Sequence, residues 1–80
     1  MTEYGRIVRI FMADRHVKSL AELHRLLVAG GYDVGYGQLY YAVNANWGRT
    51  PEPELNRGIA HVLRLTEEEK IRLARTVMAA

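Results

Sequence analysis

The three histidines are the side chains of this sequence best suited to metal binding or catalysis. His16, His24 and His61 are widely separated, and the chain has no cysteine to join them as a metal ligand or nucleophile. We therefore interpret them as structural histidines, with His24 at a packing position. The acidic run 67–69 is explained by its place at a predicted helix start. No Gly-rich phosphate loop and no Ser/His/Asp arrangement occurs, so we expect no catalytic residues, metal or cofactor, and no enzyme.

A second group of side chains combines aromatic and amide groups without charge. Four of the five tyrosines fall between residues 32 and 41, next to a glutamine. Glutamine pairs with the N6 and N7 edge of adenine, whereas tyrosine contacts thymine methyl groups with its ring or phosphates with its hydroxyl. Tyrosine clusters also line protein interfaces and half-buried surfaces. That alternative stays open above all for Tyr32 and Tyr40.

The composition is typical of one small globular domain covering residues 1–80. Hydrophobic residues make up 49% of the 80 residues and charged residues 25%. Without cysteine, the domain depends on its apolar core and not on disulfides. No segment approaches the roughly 18 apolar residues of a membrane helix, and no signal-peptide pattern opens the chain. We expect a cytoplasmic protein, located at the nucleoid or in a host-cell cytoplasm, with no membrane partner.

The charge is weakly positive and unevenly distributed. The net charge is +2, from eleven basic and nine acidic residues. Four basic and two acidic residues precede residue 19, and the remainder of the chain is balanced. This distribution permits nucleic-acid binding without requiring it.

Helical spacing of apolar residues predicts the first two helices. The first helix runs from about Glu3 to Asp14, and its predicted inward residues are Ile7, Val8, Ile10, Phe11 and Met12. The second helix begins at a capping box, in which the Ser19 hydroxyl accepts from the Glu22 amide and the Glu22 carboxylate accepts from the Ser19 amide. It ends near Ala29, before two glycines that tolerate positive φ. Its predicted inward residues are Leu20, Leu23, Leu26 and Leu27.

The last two helices are predicted by the same signals. Pro53 suits the first turn of a fourth helix, whose predicted inward residues are Leu55, Ile59, Val62 and Leu63. A second capping box, from Thr66 to Glu69, begins the fifth helix. Its predicted inward residues are Ile71, Leu73, Ala74, Val77 and Met78. No alternating run supports a strand, so we predict an all-α domain of five helices.

The third helix differs from the others in having one narrow apolar stripe. It opens at Gly35, ends near Asn44, and is anchored by Leu39, Ala42 and Val43. The opposite face is polar and aromatic without charge. A helix that enters the DNA major groove must be buried along such a narrow stripe only. We therefore predict that the second and third helices form a helix-turn-helix.

The quoted residues resemble the Cro/CI (Xre-type) helix-turn-helix family of phage and prokaryotic repressors. The segment 34–39 reads Val-Gly-Tyr-Gly-Gln-Leu, and the run 59–68 matches the family pattern "iA-x-x-L-x-l-t-x-e-e". The resemblance covers about residues 17–70, and its most specific part is the run 59–68 at its distance from the third helix. The chain departs from the pattern at His24, where the family has alanine. It also has about five extra residues before the third helix, and Ala45 where a glycine is common.

The resemblance implies which residues contact DNA. Family members read bases from the first two turns of the third helix, and the matching positions here are Gly35, Tyr36, Gly37, Gln38 and Tyr41. The implied phosphate contacts lie at the start of the second helix and in the loop after the third, at Lys18, Ser19, Asn46, Arg49 and Thr50. Gly35 and Gly37 also allow the backbone to approach base edges closely.

The function that follows is a sequence-specific DNA-binding transcriptional regulator, repressor-like, with a double-stranded operator as partner. The family resemblance implies a two-fold dimer, formed through the fifth helix or the loop containing Trp47, which we otherwise expect to cover helices three and four. A second hypothesis is a small helical adaptor that binds a protein of the transcription machinery through the tyrosine-rich surface. A third is an accessory DNA-binding factor in phage integration or excision.

Overall fold

The computed structural model describes residues 2–45 and 51–78, except for the side chain of Met78. Within these ranges the chain forms five helices and no strand, which confirms the all-α prediction. The helices are α1 (Glu3–Asp14), α2 (Leu20–Ala29), α3 (Tyr36–Asn44), α4 (Pro53–Val62) and α5 (Glu67–Met78). Since the longest have 12 residues, no helix of the described chain is long and apolar enough to cross a membrane.

The predicted helix starts are confirmed in most details. The Ser19 hydroxyl accepts from the Glu22 amide at 3.1 Å, as expected. The return half of that box is wrong, because the Glu22 carboxylate accepts from the Lys18 amide at 3.2 Å and not from Ser19. At α5 both halves form: the Glu69 amide donates to the Thr66 hydroxyl at 3.2 Å, and the Glu69 carboxylate accepts from the Thr66 amide at 2.8 Å.

A single apolar core holds the helices together. α1 packs against α3 and α5, while α2 packs against α3 and α4. The bulkiest fully buried side chains come from all five helices and the residue after α4: Phe11, Leu23, Leu27, Leu39, Leu55, Ile59, Leu63 and Leu73. Tyr4 is also buried, and its hydroxyl donates to the Asn56 side-chain oxygen at 3.1 Å, linking α1 to α4. Burial raises the pKa of this hydroxyl well above its usual value.

Two residues predicted to face the core do not. Ile71 is 52% exposed, because α5 docks through Leu73 and Val77, and a residue two positions from Leu73 lies on the opposite side of a helix. Leu26 is 38% exposed at the edge of the stripe whose centre includes Leu27. Of the other residues predicted to face the core, Ile10, Ala42, Val62, Ala74 and Val77 are partly buried, and the side chain of Met78 lies outside the described residues.

An ion pair ties the end of α1 to the start of α5. Two nitrogens of the Arg15 guanidinium donate to the Glu69 carboxylate, at 2.6 and 3.1 Å, and a third donates to the Leu63 carbonyl. The same guanidinium lies 5.8 Å from the centre of the Phe11 ring. This bidentate pair, together with the Thr66 amide, lowers the pKa of Glu69 to about 2. It therefore joins the end of α1 to the start of α5.

Candidate nucleic-acid interface

α3 is buried along one line and exposed on the rest of its surface. Leu39 and Val43, one turn apart, are 0% exposed. Tyr36, Tyr40 and Tyr41 are 44%, 46% and 55% exposed. The remaining predicted base-reading residues, Gly35, Gly37 and Gln38, are exposed as well. The orientation predicted for α3 is therefore confirmed, and all five predicted base-reading residues lie on its outer surface.

The first turn of α3 is capped by one of its own predicted base-reading side chains. The Gln38 side-chain oxygen accepts from the Gly35 amide at 2.8 Å. That bond fixes the orientation of the Gln38 amide relative to the helix axis, with the oxygen directed at the helix start. A β-carbon added to Gly37 would have no atom within 4 Å. The start of α3 thus presents open backbone beside a fixed amide.

The C-terminal end of α3 is held by the beginning of α1. The Thr2 hydroxyl donates to the carbonyls of Ala42 and Val43 at 2.9 and 3.1 Å, and the Thr2 amide donates to Val43 at 3.1 Å. The same hydroxyl accepts from the Gly5 amide at 2.8 Å, so it caps α1 too. A β-carbon on Gly5 would lie 1.9 Å from the Val43 carbonyl oxygen, so only glycine allows this approach. We call these contacts the Thr2–Val43 junction.

The turn between α2 and α3 is fixed by backbone and side-chain hydrogen bonds. Gly31 has a φ of +89°, and the next amide, of Tyr32, donates to the Leu27 carbonyl at 3.0 Å. Val34 is buried, and its carbonyl lies 2.8 Å from Nε2 of His24. The prediction that His24 is structural is therefore confirmed. The connection between α2 and α3 is therefore an ordered turn.

The rings on the outer side of α3 form a continuous series, which we call the aromatic strip. The rings of His24 and Tyr36 are 5.9 Å apart, those of Tyr36 and Tyr40 are 6.4 Å apart, and those of Tyr40 and Tyr41 are 6.1 Å apart. The first and last contacts are edge-to-face. The strip starts on α2 and continues over two turns of α3, so any partner of α3 meets aromatic surface.

No charged side chain lies on α3 itself, and the cations considered for DNA contact lie on α1 and α2 and at the start of α2. Lys18 and Ser19 are exposed at the start of α2, where they were predicted to contact phosphate. Arg25 is an exposed cation on α2 that the sequence reasoning missed. Arg9 was missed as well: its guanidinium donates to the Asn44 side chain at 3.5 Å, which places a cation at the C-terminal end of α3.

Part of the predicted phosphate surface cannot be placed. The three predicted contacts after α3 (Asn46, Arg49 and Thr50) lie outside the described residues, as does Trp47. The sequence reasoning also missed Thr2 and Gly5, which set the position of α3. The sequence did contain a signal for this role: Thr2 precedes Gly5 by three residues at the predicted start of the first helix. Threonine is a preferred N-cap residue, and glycine is unfavourable inside a helix unless a close contact requires it.

Metal ligation finds no support in the described part of the chain. No group of three or more His, Asp or Glu side chains is placed to hold an ion there. The His61 ring lies 2.9 Å through Nδ1 from the Tyr32 hydroxyl, which is a structural contact between α4 and the α2–α3 turn. His16 is exposed in the turn that follows α1.

Comparisons of the chain with protein-family models, with curated proteins and with solved structures give no significant match. The resemblance to Cro/CI repressors therefore stays a prediction.

Proposed function

We propose that the protein is a sequence-specific DNA-binding transcriptional regulator, in which α2 and α3 act as a helix-turn-helix and α3 enters the major groove of an operator. The observation that carries this proposal is the way α3 packs against the rest of the domain. Leu39 and Val43 are completely buried along one narrow stripe, while the other residues from 36 to 41 are exposed. An α-helix with its side chains is about 10–12 Å in diameter, which fits a major groove about 12 Å wide.

Sequence reading in this proposal depends on Gln38 and the tyrosines. The Gln38 oxygen already accepts from Gly35, which leaves its second lone pair and its NH₂ group for an adenine edge. Tyr36 and Tyr41 supply rings for thymine methyl groups and hydroxyls for phosphates. Because the amide is held before DNA arrives, less side-chain entropy is lost on binding.

Affinity in this proposal comes from cations on α2 and at its start. Lys18 and Arg25 are exposed, and neither makes an ion pair with another described residue. The amides at the start of α2 add a partial positive charge, which the Glu22 carboxylate partly offsets. With few cations, we expect modest nonspecific affinity that falls steeply as salt rises.

The size of the molecule supports a dimeric arrangement on DNA. Its extents are 30 × 26 × 20 Å, so two adjacent copies can place two α3 helices about 34 Å apart, the spacing of successive major grooves on one side of a duplex. The exposed Ile71 gives α5 an apolar residue for contact with a second copy. The alternative surface, the loop with Trp47, lies outside the described residues.

The proposal is tested by selecting bound duplexes from a random pool and measuring the affinity of variants for the selected site. Gln38→Glu retains an acceptor for the Gly35 amide, so the fold should stay intact, but it removes the NH₂ donor and adds negative charge. We expect affinity to fall at least about tenfold with an unchanged circular dichroism spectrum. Failure to enrich any duplex, or full affinity in this variant, contradicts the proposal.

The aromatic strip favours a second candidate function, a helical adaptor for a protein of the transcription machinery. Exposed tyrosines are enriched in protein interfaces, and α3 carries no charge to attract phosphate. Tyr41→Ala distinguishes the two functions. Loss of duplex binding by a folded variant supports the regulator. Absence of duplex binding in the parent protein supports the adaptor.

A further inference from the structure

A groove with cationic edges lies between α4 and α5, and nothing in the proposed DNA contact uses it. Its volume is about 610 Å³. Arg57, Arg64 and Lys70 contribute basic groups to its lining, and Ala60, Leu65 and Ala74 contribute apolar surface. We call it the α4–α5 groove.

The cations of the groove are available to a ligand. All three are exposed, and neither Arg57 nor Arg64 makes an ion pair with another described residue. Lys70 contacts only the exposed Glu67 on its own helix, at 3.2 Å, a kind of pair that contributes little. Glu69, next to Lys70 in the chain, is paired with Arg15. Arg57 and Arg64 therefore give the groove positive charge that no ion pair among the described residues offsets.

The backbone conformation of Arg64 is a second, independent observation about the α4–α5 groove. Arg64 has a φ of +53°, in the left-handed region just after α4, where helices usually place glycine. Its amide donates to the His61 carbonyl at 3.1 Å and its carbonyl accepts from Arg15 at 3.4 Å, so this conformation is held firmly. A long cationic side chain thus occupies a position that the backbone would fill more readily with glycine.

We propose that the α4–α5 groove binds an acidic, partly apolar peptide segment of a partner protein. Carboxylates of the segment pair with Arg57, Arg64 and Lys70, while its apolar side chains cover Ala60 and Ala74. An apolar floor between cationic edges matches this occupant, as in other grooves that hold amphipathic segments. A duplex backbone presents phosphates without apolar groups, so it leaves the floor uncovered. This surface is separate from α3, and the inference does not depend on the proposed DNA contact.

The experiment is a peptide-display selection against the full chain, followed by affinity measurement with the enriched peptides. We expect enriched peptides to combine Asp and Glu with apolar residues, and to shift backbone amide NMR signals of α4 and α5. The double variant Arg57→Glu/Arg64→Glu should bind them at least about tenfold more weakly. Arg75→Glu, which reverses one charge where the double variant reverses two, at an exposed α5 position outside the groove lining, should bind them within about twofold of the parent.

A milder variant keeps the inference testable if charge reversal harms folding. Arg64→Asn removes the cation but suits left-handed backbone, so it should fold with a Tm near that of the parent and still lose several-fold in affinity. Any of three results overturns the inference: enriched peptides without acidic residues, groove variants that bind the peptides as tightly as the parent does, or no enrichment of any peptide. So does a loss of duplex DNA affinity in Arg57→Glu/Arg64→Glu, which would assign the groove to phosphate, or a loss of dimerisation, which would assign it to a second copy.

Discussion

The Thr2–Val43 junction predicts that Gly5→Ala is strongly destabilising, against the usual direction for a helix. Gly5 lies in the first turn of α1, where replacing glycine by alanine ordinarily stabilises a helix by up to about 1 kcal/mol. Here the new β-carbon would lie 1.9 Å from the Val43 oxygen, 2.6 Å from its carbonyl carbon and 2.7 Å from its Cα. All three are backbone atoms, so no side-chain rotation relieves the overlap.

The cost follows from the shift that α1 and α3 must make. Restoring ordinary contact requires the two helices to separate by more than 1 Å, which strains the core by about 1–3 kcal/mol. That movement also weakens two bonds from Thr2 to α3, one from the hydroxyl, whose single proton is shared between the Ala42 and Val43 carbonyls, and one from the amide, at about 1 kcal/mol for each donor. We expect a loss of about 2–4 kcal/mol, a large share of the roughly 4–12 kcal/mol typical of a domain this size. The Tm should fall by about 10–25 °C.

Thermal and urea unfolding, followed by circular dichroism, measure this effect. Gly37→Ala is the matched control, because Gly37 also lies in the first turn of a helix but has no atom near the added β-carbon. That variant should be stabilised by about 0.5–1 kcal/mol. If Gly5→Ala is as stable as the parent or more so, the close approach of α1 to α3 is wrong, and with it the account of how α3 is positioned.

Three further predictions concern stability. Glu69→Gln should lower the free energy of unfolding by about 1–2 kcal/mol at neutral pH, a figure discounted for the solvent around the pair. Because the pKa of Glu69 is lowered from 4.5 to about 2, this stabilisation is complete above pH 4.5 and disappears as the pH falls towards 2. The urea midpoints of parent and variant should therefore converge in acid. A constant difference down to pH 2 contradicts the Arg15 pair. His16→Gly should raise the Tm by a few degrees, because His16 has a φ of +59° after α1; a lower Tm would reveal a contact of the imidazole. Leu39→Ala should lower the free energy of unfolding by about 2–5 kcal/mol and loosen the packing of α3. Amide hydrogen exchange should then become faster in α3 than in α4. Equal exchange rates in the two helices would contradict the idea that α3 is held mainly by Leu39 and Val43.

Much of the fold was predictable because its signals are local. Capping residues and the spacing of apolar side chains give the bounds of α1 and the start of α2, and they give the buried stripe of α3. These features depend on residues within one or two turns of each other. The exposed surface of α3 follows from the same spacing, since Leu39 and Val43 leave no other side to bury.

The features that sequence reasoning missed depend on contacts between distant residues. The apolar residues of α5 form two overlapping stripes, and contacts with the rest of the core place Leu73 inside while Ile71 stays exposed. The close approach at Gly5 involves a partner 38 positions away in the chain. From the sequence alone, a glycine in the first turn of a helix indicates only a small loss of helix stability, because its distant contact is not known.

The central claim, that α3 is the surface that reads DNA, is tested most directly by NMR titration of the labelled protein with a duplex selected from a random pool. We predict that the largest amide shifts fall at residues 35–41 and at the start of α2, and that replacing adenine N7 in the selected site by carbon weakens binding of the parent but not of Gln38→Glu. Shifts confined to other helices, or a selected duplex whose affinity is unchanged by Gln38→Glu, would contradict the account.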